Sequence, residues 1–367
     1  MARRYFPKDM QQLMHWYERY ISPIALVSGF LADNFILLKR VDLLQTNLIL
    51  LFYLVLAALG IVLIHFIETG KMHNQRIVRA SPLILIAMQF AFGGLFSGYL
   101  SLYSRSASLA VSWIFVLIIA VLLIGNERFT RLYARFVFQI SLYFTVLFSF
   151  LIFFLPVILH RIGPLMFVIS GLLSLFIIVL FLWLLDRLVP EVVRKDLPLA
   201  TGIITLIFCI FNILYFSNTI PPLPLALKNA GVYHSVVRKS GGEYQLLGER
   251  VPWYASYLQY NTIYHATTGE GVYVYSAIFA PSGLSTTILH QWQQYDDAAS
   301  TWVTTSTLRF AIVGGRDEGY RGYSFKSVPT PGAWRVNVIT EYGQLIGRIS
   351  FTIASTSTAV PLVSSTQ

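Results

Sequence analysis

Asp33 and His65 are ionisable residues inside long apolar runs, where a charge is costly enough to imply a task. A carboxyl at such depth can relay protons or hold a transported cation. Asp33 lies about a turn and a half from the end of its run and is followed by Asn34. Two other readings therefore stand beside transport. Asp33 can pair with Lys39 or Arg40 at the interface, or Asp33-Asn34 can break the helix. His65 is near the end of its own run, within reach of the interface. Gln89, Gln139 and Asn212 are single amides, expected to make interhelical hydrogen bonds.

Outside those runs, two stretches carry chemistry. PWYASYLQYNTIY places Trp253, Tyr254, Tyr257, Tyr260 and Tyr264 within twelve residues. Such rings stack on sugar faces, sit at the headgroup level of a membrane, or pack in a core, and all three readings are open. His290 and Trp292 share one face of a strand by their period of two, as part of a buried cluster or of a site. No HExxH, GxSxG, Walker loop or Cys/His cluster is present. No enzyme, metal or cofactor is expected. The single cysteine, Cys209, lies in an apolar run, so no disulfide braces the chain.

The elements that must position these residues follow from composition. The 367 residues are 56% hydrophobic and only 12% charged, about half the charge of a soluble domain, and the mean hydropathy is +0.64. Apolar runs long enough to span a bilayer lie at 48–67, 81–102, 107–125, 137–159, 163–185 and 199–219. A shorter seventh, 21–38, holds Asp33. In residues 8–20, Met10, Leu13, Met14 and Tyr17 recur at helical spacing, flanked by Trp16, Tyr20 and Arg19, the pattern of an interfacial helix or of one that binds a partner.

Charge orients the spans. Lys71, Arg76, Arg79, Arg128, Arg131, Arg135, Arg187, Arg194 and Lys195 occupy alternate loops, against Arg105 and Arg161 in the others. Cationic loops stay cytoplasmic. With 21–38 spanning, the count is 13 against 4, so seven spans with the N-terminus inside are expected. The net charge of +10 resides mostly in these loops rather than on one soluble face, which argues against a nucleic-acid partner. In the span at 81–102, Ala87, Ala91, Gly94 and Gly98 form a small-residue stripe for a neighbouring helix or an oligomer face. No span pairs with another as an inverted repeat, so the transporter signature is weak.

The remainder alternates and turns. After the Pro-rich linker 220–227, strand-like stretches recur at 232–238, 243–248, 262–267, 271–280, 285–294, 301–312, 320–327, 333–340 and 344–353, separated by Gly and Pro signals. This spacing indicates an all-β sandwich or barrel over 228–354. In AWRVNVI, Trp334, Val336 and Val338 share a core face. The uncharged tail, 355–367, reads as disordered.

LHQWQQYDD, the Thr-rich strand after it, GYRGYSFKS, PGAWRVNV, EYGQLIG and FTI resemble, in that order, the C-terminal domain of a bacterial membrane-protein family known as domain of unknown function 2914. His290 and Trp292, Arg321 and Ser324, and Gly332, Trp334 and Val336 match its motifs. SPIALVSGFLADNF and the multi-span region also resemble members with this layout. The resemblance implies no activity, but it adds Arg321 to the candidate ligand residues.

The expectation is thus an α-helical polytopic bundle of about seven spans in the inner membrane, followed by an extracytoplasmic, immunoglobulin-like β-sandwich. The function expected is a membrane-anchored module binding an envelope glycan or another envelope protein, with Trp253, Tyr254, Tyr257, Tyr260, His290, Trp292 and Arg321 as candidates. The alternative is a transporter or channel whose bundle carries the activity, in which Asp33 and Asn34 matter and the β domain gates or recruits.

Overall fold

The computed structural model describes residues 30–31, 33, 40–106, 109–126, 132–253, 260–267, 269–358 and 360–367. The interfacial stretch 8–20 lies outside them, as does the first expected span apart from Phe30, Leu31 and Asp33. The chain divides into two compact units, Met1–Ser104 with Trp113–Ile220, and Pro221–Gln367 with the short stretch Arg105–Ser112 that joins two of the helices.

The first unit is helical: α1 (Leu44–Glu68), α2 (Gln75–Arg79), α3 (Ser81–Ser106), α4 (Leu109–Asn126), a 3-10 turn (Leu132–Ala134), α5 (Phe136–Leu159), α6 (Pro164–Leu188) and α7 (Pro190–Phe216). Among the described residues α1, α3, α5, α6 and α7 are long and apolar enough to cross a membrane. A 25-residue helix such as α1 is about 38 Å long, against roughly 30 Å of hydrocarbon. The protein is a multi-pass membrane protein on this evidence. α4 is apolar but shorter.

α7 starts nine residues before the expected span. Its first turns, PEVVRKDL, are polar and read as a loop by hydropathy, but Pro190 at the helix start is preorganised for helical φ. α5 is the central helix, with 67% of its most apolar stretch buried against 17% for α7. α7 instead exposes Leu199, Leu206, Ile210 and Ile213.

Polar groups tie the bundle together. His65 Nδ1 meets Glu68 Oε2 at 2.8 Å, and His65 Nε2 meets Gln139 Oε1 at 2.8 Å. Gln139 donates to the Tyr133 carbonyl, and the Tyr133 hydroxyl donates to Asn126 Oδ1. Asn126 and Gln89 then exchange bonds to each other's carbonyls at 3.0 and 3.2 Å. Gln89 and Gln139 thus bond between elements as expected. Asn212 does not, since it donates to Phe208 O within its own helix at 2.8 Å. Part of the small-residue stripe is used within the chain: a Cβ at Gly94 would come within 2.6 Å of the Tyr53 ring.

The second unit carries eleven described strands: β1 (Ala226–Tyr233), β2 (Ser235–Arg238), β3 (Tyr244–Glu249), β4 (Ile263–Ala266), β5 (Val272–Phe279), β6 (Ser285–Asp296), β7 (Thr301–Val313), β8 (Tyr320–Lys326), β9 (Gly332–Thr340), β10 (Leu345–Ser355) and β11 (Leu362–Thr366). They form three sheets, ordered β1-β5-β8, β4-β10-β9-β6-β7 and β11-β3-β2. The tail is not the disordered segment that its composition suggests. Residues 362–366 pair antiparallel with β3, Leu362 opposite Glu249 and Thr366 opposite Gln245. The linker is also shorter than expected, because β1 begins at Ala226 and pairs with Phe279.

On the five-stranded sheet one face presents Ile288, His290 and Trp292 beside Trp334, Val336 and Val338, then Ile349, Phe351 and Ile353, all buried. Trp292 packs edge-on to Trp334 and Phe351 at 6.3 and 6.2 Å between centroids. The opposite face carries a polar ladder, in which Arg348 donates to Asn337 (2.7 Å) and Arg335 to Gln293 (2.7 Å).

Candidate functional site

Register on the β1-β5-β8 sheet brings three rows of side chains to one face. Asn229, Ala277 and Arg321 lie abreast, then Gly231, Tyr275 and Tyr323, then Tyr233, Tyr273 and Phe325. Because alternate residues face opposite ways, Ser276 and Ser324 point to the other side, toward His290. The small side chain of Ala277 leaves room between larger neighbours. A cavity of about 560 Å³ lies there, lined by Asn229, Tyr275, Ala277 and Arg321 and, from β3 and its end, Gly248, Glu249 and Arg250. Tyr233 closes one side, fitted against two glycines: a Cβ at Gly231 would sit 2.7 Å from its hydroxyl and one at Gly248 2.9 Å from its ring.

Two polar atoms in this wall are buried without a hydrogen bond among the described residues, Asn229 Oδ1 and Tyr275 Oη. Buried polar atoms are nearly always bonded to protein or water, so both suit a polar guest. Burial pushes the Tyr275 phenol up to about 12, and the nearby Arg321 guanidinium acts against that rise. Burial also pushes Tyr233 up to about 12. Both remain neutral hydroxyl donors at physiological pH.

Charge on the rim is uneven. Lys228, Arg250 and Arg321 face Glu318 and Glu249, but Glu249 is already engaged. It accepts from the His265 backbone (2.6 Å) and Asn261 (3.1 Å), and lies 2.9 Å from His265 Nδ1 and 3.3 Å from His234 Nε2. His234 reaches Glu270 on its other side at 2.5 Å and stacks on Tyr264. Burial works against ionisation of Glu249, but the bonds from His265 and His234 outweigh it and hold its carboxyl below the usual 4.5. A depressed carboxyl stabilises the fold above its unfolded pKa and loses that effect as pH falls through its folded one. Glu249→Gln is therefore expected to flatten the loss of melting temperature below pH 4.5, as followed by calorimetry on the two proteins. An unchanged acid limb would place the loss elsewhere.

Beside the cavity, Tyr323 and Phe325 are each 44% exposed. Tyr273 joins them, 5.9 Å from Tyr323 and 4.6 Å from Phe325. The result is an aromatic surface running into a polar, net cationic cavity.

The candidate residues from the sequence are dispersed. Arg321 lines the cavity. Trp253 is 86% exposed. Tyr260 is buried and donates to Ser350 O at 3.5 Å, so it is a packing residue rather than a ligand platform. Tyr254, Tyr257 and Asn34 lie outside the described residues. His290 and Trp292 are core residues, not site residues. His290 has Ser276 on one ring nitrogen and Ser324 on the other, each at 2.8 Å, and Trp292 donates to Ser324 at 3.0 Å. Desolvation lowers the His290 pKa from 6.5 to about 3, so the ring is neutral.

In the helical unit, Asp33 is buried and accepts from Ser97 Oγ at 2.6 Å. Arg40 is held by Asp42, at 2.6 Å, and makes no ion pair with Asp33 among the described residues, while Lys39, the other partner considered, lies outside them. Among the described residues no group of His, Cys, Asp and Glu could hold a metal ion.

Sequence reasoning missed Asn229, Tyr233, Tyr275 and Tyr323. Their signal was alternation, since Tyr273 and Tyr275, like Arg321, Tyr323 and Phe325, recur at period two. It was hidden because one face of a strand cannot be assigned inward or outward without its partners.

Comparison with known proteins adds little chemistry. No curated protein matches. Among solved structures, the alkylpurine DNA glycosylase AlkC of Pseudomonas fluorescens bound to DNA containing an abasic site analogue is 11% identical, over 74% of this chain and 80% of that chain, with a TM-score of 0.22. Nothing about this chain follows from so loose a superposition. Residues 285–353 match the family described as "Protein of unknown function (DUF2914)". The match spans β6 to β10 and takes in the His290/Trp292, Arg321/Ser324 and Trp334/Val336 motifs. The chain therefore carries a C-terminal DUF2914 domain, at residues 285–353.

Proposed function

We propose that the protein is a membrane-anchored binding module whose β-rich unit captures an envelope glycan bearing a carboxylate. The observation that carries this reading is the cavity on the β1-β5-β8 sheet. Its wall sets Asn229 Oδ1 and Tyr275 Oη, which make no geometric hydrogen bond among the described residues, beside the Arg321 guanidinium, and the exposed Tyr323 and Phe325 follow on the same sheet face. Aromatic faces take the C–H surfaces of a sugar, and a guanidinium takes a carboxylate through two parallel bonds. Pockets of this size, with few convergent polar groups, suit a ligand of one or two rings.

The excess of cationic residues in alternate loops supports an N-terminus inside and this unit outside, where such glycans are found. We read the β1-β5-β8 and five-stranded sheets as the layers of an immunoglobulin-like sandwich, bridged by the His290 bonds to Ser276 and Ser324. The module is proposed to act by binding and not as an enzyme.

Titration of the full-length protein in detergent with peptidoglycan fragments and neutral oligosaccharides tests this. Saturable binding of the acidic fragments is expected, weakened roughly 10- to 100-fold in Arg321→Ala by loss of a charge-assisted bond worth about 1.5–3 kcal/mol. Trp253→Ala should leave it unchanged. Equal affinity for neutral sugars, or no effect at Arg321, would sink the reading.

A further inference from the structure

At one end of the helical unit a second cavity, of about 850 Å³, lies between the end of α1, the start of α5 and the first turns of α7. Its charged lining is Glu68, Arg135, Glu191, Lys195 and Asp196, with His65 at its base. The charges around it are satisfied within the chain. Lys71 donates to Leu188 O at 2.6 Å, Arg194 bonds Asp186 at 3.0 Å, and Arg187 lies over Trp183 at 5.1 Å. Among the described residues Arg135, Glu191, Lys195 and Asp196 make no such pair, although Glu191 and Lys195 stand at the i,i+4 spacing that favours one. The Ser141 hydroxyl, also in the lining, is buried without a hydrogen bond among the described residues.

Two cations beside three carboxylates do not suit a bare anion, which would add negative charge to a cavity without a cationic excess. They suit a ligand that carries both signs a few ångströms apart. The rest of the lining is largely apolar, with Leu132, Phe136, Val137 and Val192. From Asp196 the lining runs along α7 to Leu199 and Ile203, and beyond them Leu206, Ile210 and Ile213 are exposed on a membrane-length helix. Charges at a helix end above an apolar stripe are the arrangement of a lipid headgroup over its acyl chains.

We infer that this cavity binds the headgroup of an ethanolamine phospholipid. Arg135, Lys195 and the Ser141 hydroxyl take the phosphate, and Glu191 and Asp196 take the ammonium, which offers three donors. A choline headgroup offers none, and a glycerol headgroup lacks the cation. Free phosphoethanolamine shares the headgroup chemistry, but it leaves the apolar lining uncovered.

The full-length protein, purified in detergent, is examined by native mass spectrometry after incubation with phosphatidylethanolamine, phosphatidylcholine or phosphatidylglycerol. Retention of the ethanolamine lipid at least roughly tenfold above the other two is expected, one charge-assisted contact being worth about that factor. The double variant Arg135→Gln, Lys195→Gln and, separately, Glu191→Gln, Asp196→Asn should each abolish the preference. None of the four makes an ion pair among the described residues, so melting temperature should not change. Ser141→Ala, which removes a single donor, gives a milder loss and serves if a double variant fails to fold. Equal retention of the three lipids, or a preference indifferent to these variants, would overturn the inference. Displacement of the lipid by millimolar phosphoethanolamine would do the same, by identifying a soluble ligand.

Discussion

Trp292→Ala is expected to destabilise the β-rich unit by about 3–5 kcal/mol, the cost of emptying a fully buried aromatic site. The indole is enclosed. It is braced by Trp334 and Phe351, and its N–H donates to Ser324 across to the β1-β5-β8 sheet. Truncation removes packing in one sheet and a hydrogen bond to another, and a domain is only about 5–15 kcal/mol stable. Hydrogen exchange of β6 and β9 amides in the full-length protein reports it, with Trp253→Ala as the exposed counterpart, expected within about 0.5 kcal/mol of the parent. A loss at Trp292 below about 1 kcal/mol would show that the indole is not a core element.

Acidification from pH 7.5 to 5 is expected to remove about 2 kcal/mol from the same unit, because the folded His290 ring stays neutral while the unfolded one protonates. The folded pKa is lowered from 6.5 to about 3 by desolvation. The contribution is therefore complete above pH 6.5, declines as pH falls, and is exhausted near pH 3. At pH 5 about 1.5 units of that interval have been crossed, at about 1.4 kcal/mol each. In His290→Gln the slope between pH 7.5 and 5 should vanish while overall stability drops, since Ser276 and Ser324 lose their shared partner. Denaturant titrations at several pH values separate the two effects. A slope that survives unchanged in His290→Gln would show that His290 is not its source. The motif shared with DUF2914 thus acts in cohesion between sheets, and Arg321, one residue type in the same set, is the member that reaches a cavity.

The strands were legible because alternation and turn residues act over a few positions. The expected stretches at 271–280, 320–327 and 333–340 fall within a residue of β5, β8 and β9. β11 was not legible, since VPLVSST has no period of its own and becomes a strand only against β3, more than a hundred residues earlier. The polar start of α7 was likewise hidden from hydropathy, although its proline and helical backbone are local facts.

The site divides along the same line. Aromatic density drew attention to 253–264, yet Tyr260 and Tyr264 are buried, because clustering in sequence says nothing about which way a ring points. Asp33 was recognisable as a buried carboxyl by its apolar surroundings, while its partner, Ser97, lies 64 positions away.

By itself the sequence determined what depends on composition and short periods. It set a multi-span apolar bundle, a following β-rich unit, the family motifs, and the pairing of His290 with Trp292 on one face. Only the tertiary structure decided what depends on register and on partners distant in the chain. Lateral pairing of β1, β5 and β8 puts Asn229, Ala277 and Arg321 in one row. Packing turns His290 inward and leaves Asn229 Oδ1 without a hydrogen bond among the described residues. The convergence of three helix ends gathers Arg135, Glu191, Lys195 and Asp196 around one cavity. Each of these is a long-range contact, whose energy is invisible in any window of sequence short enough to carry a period.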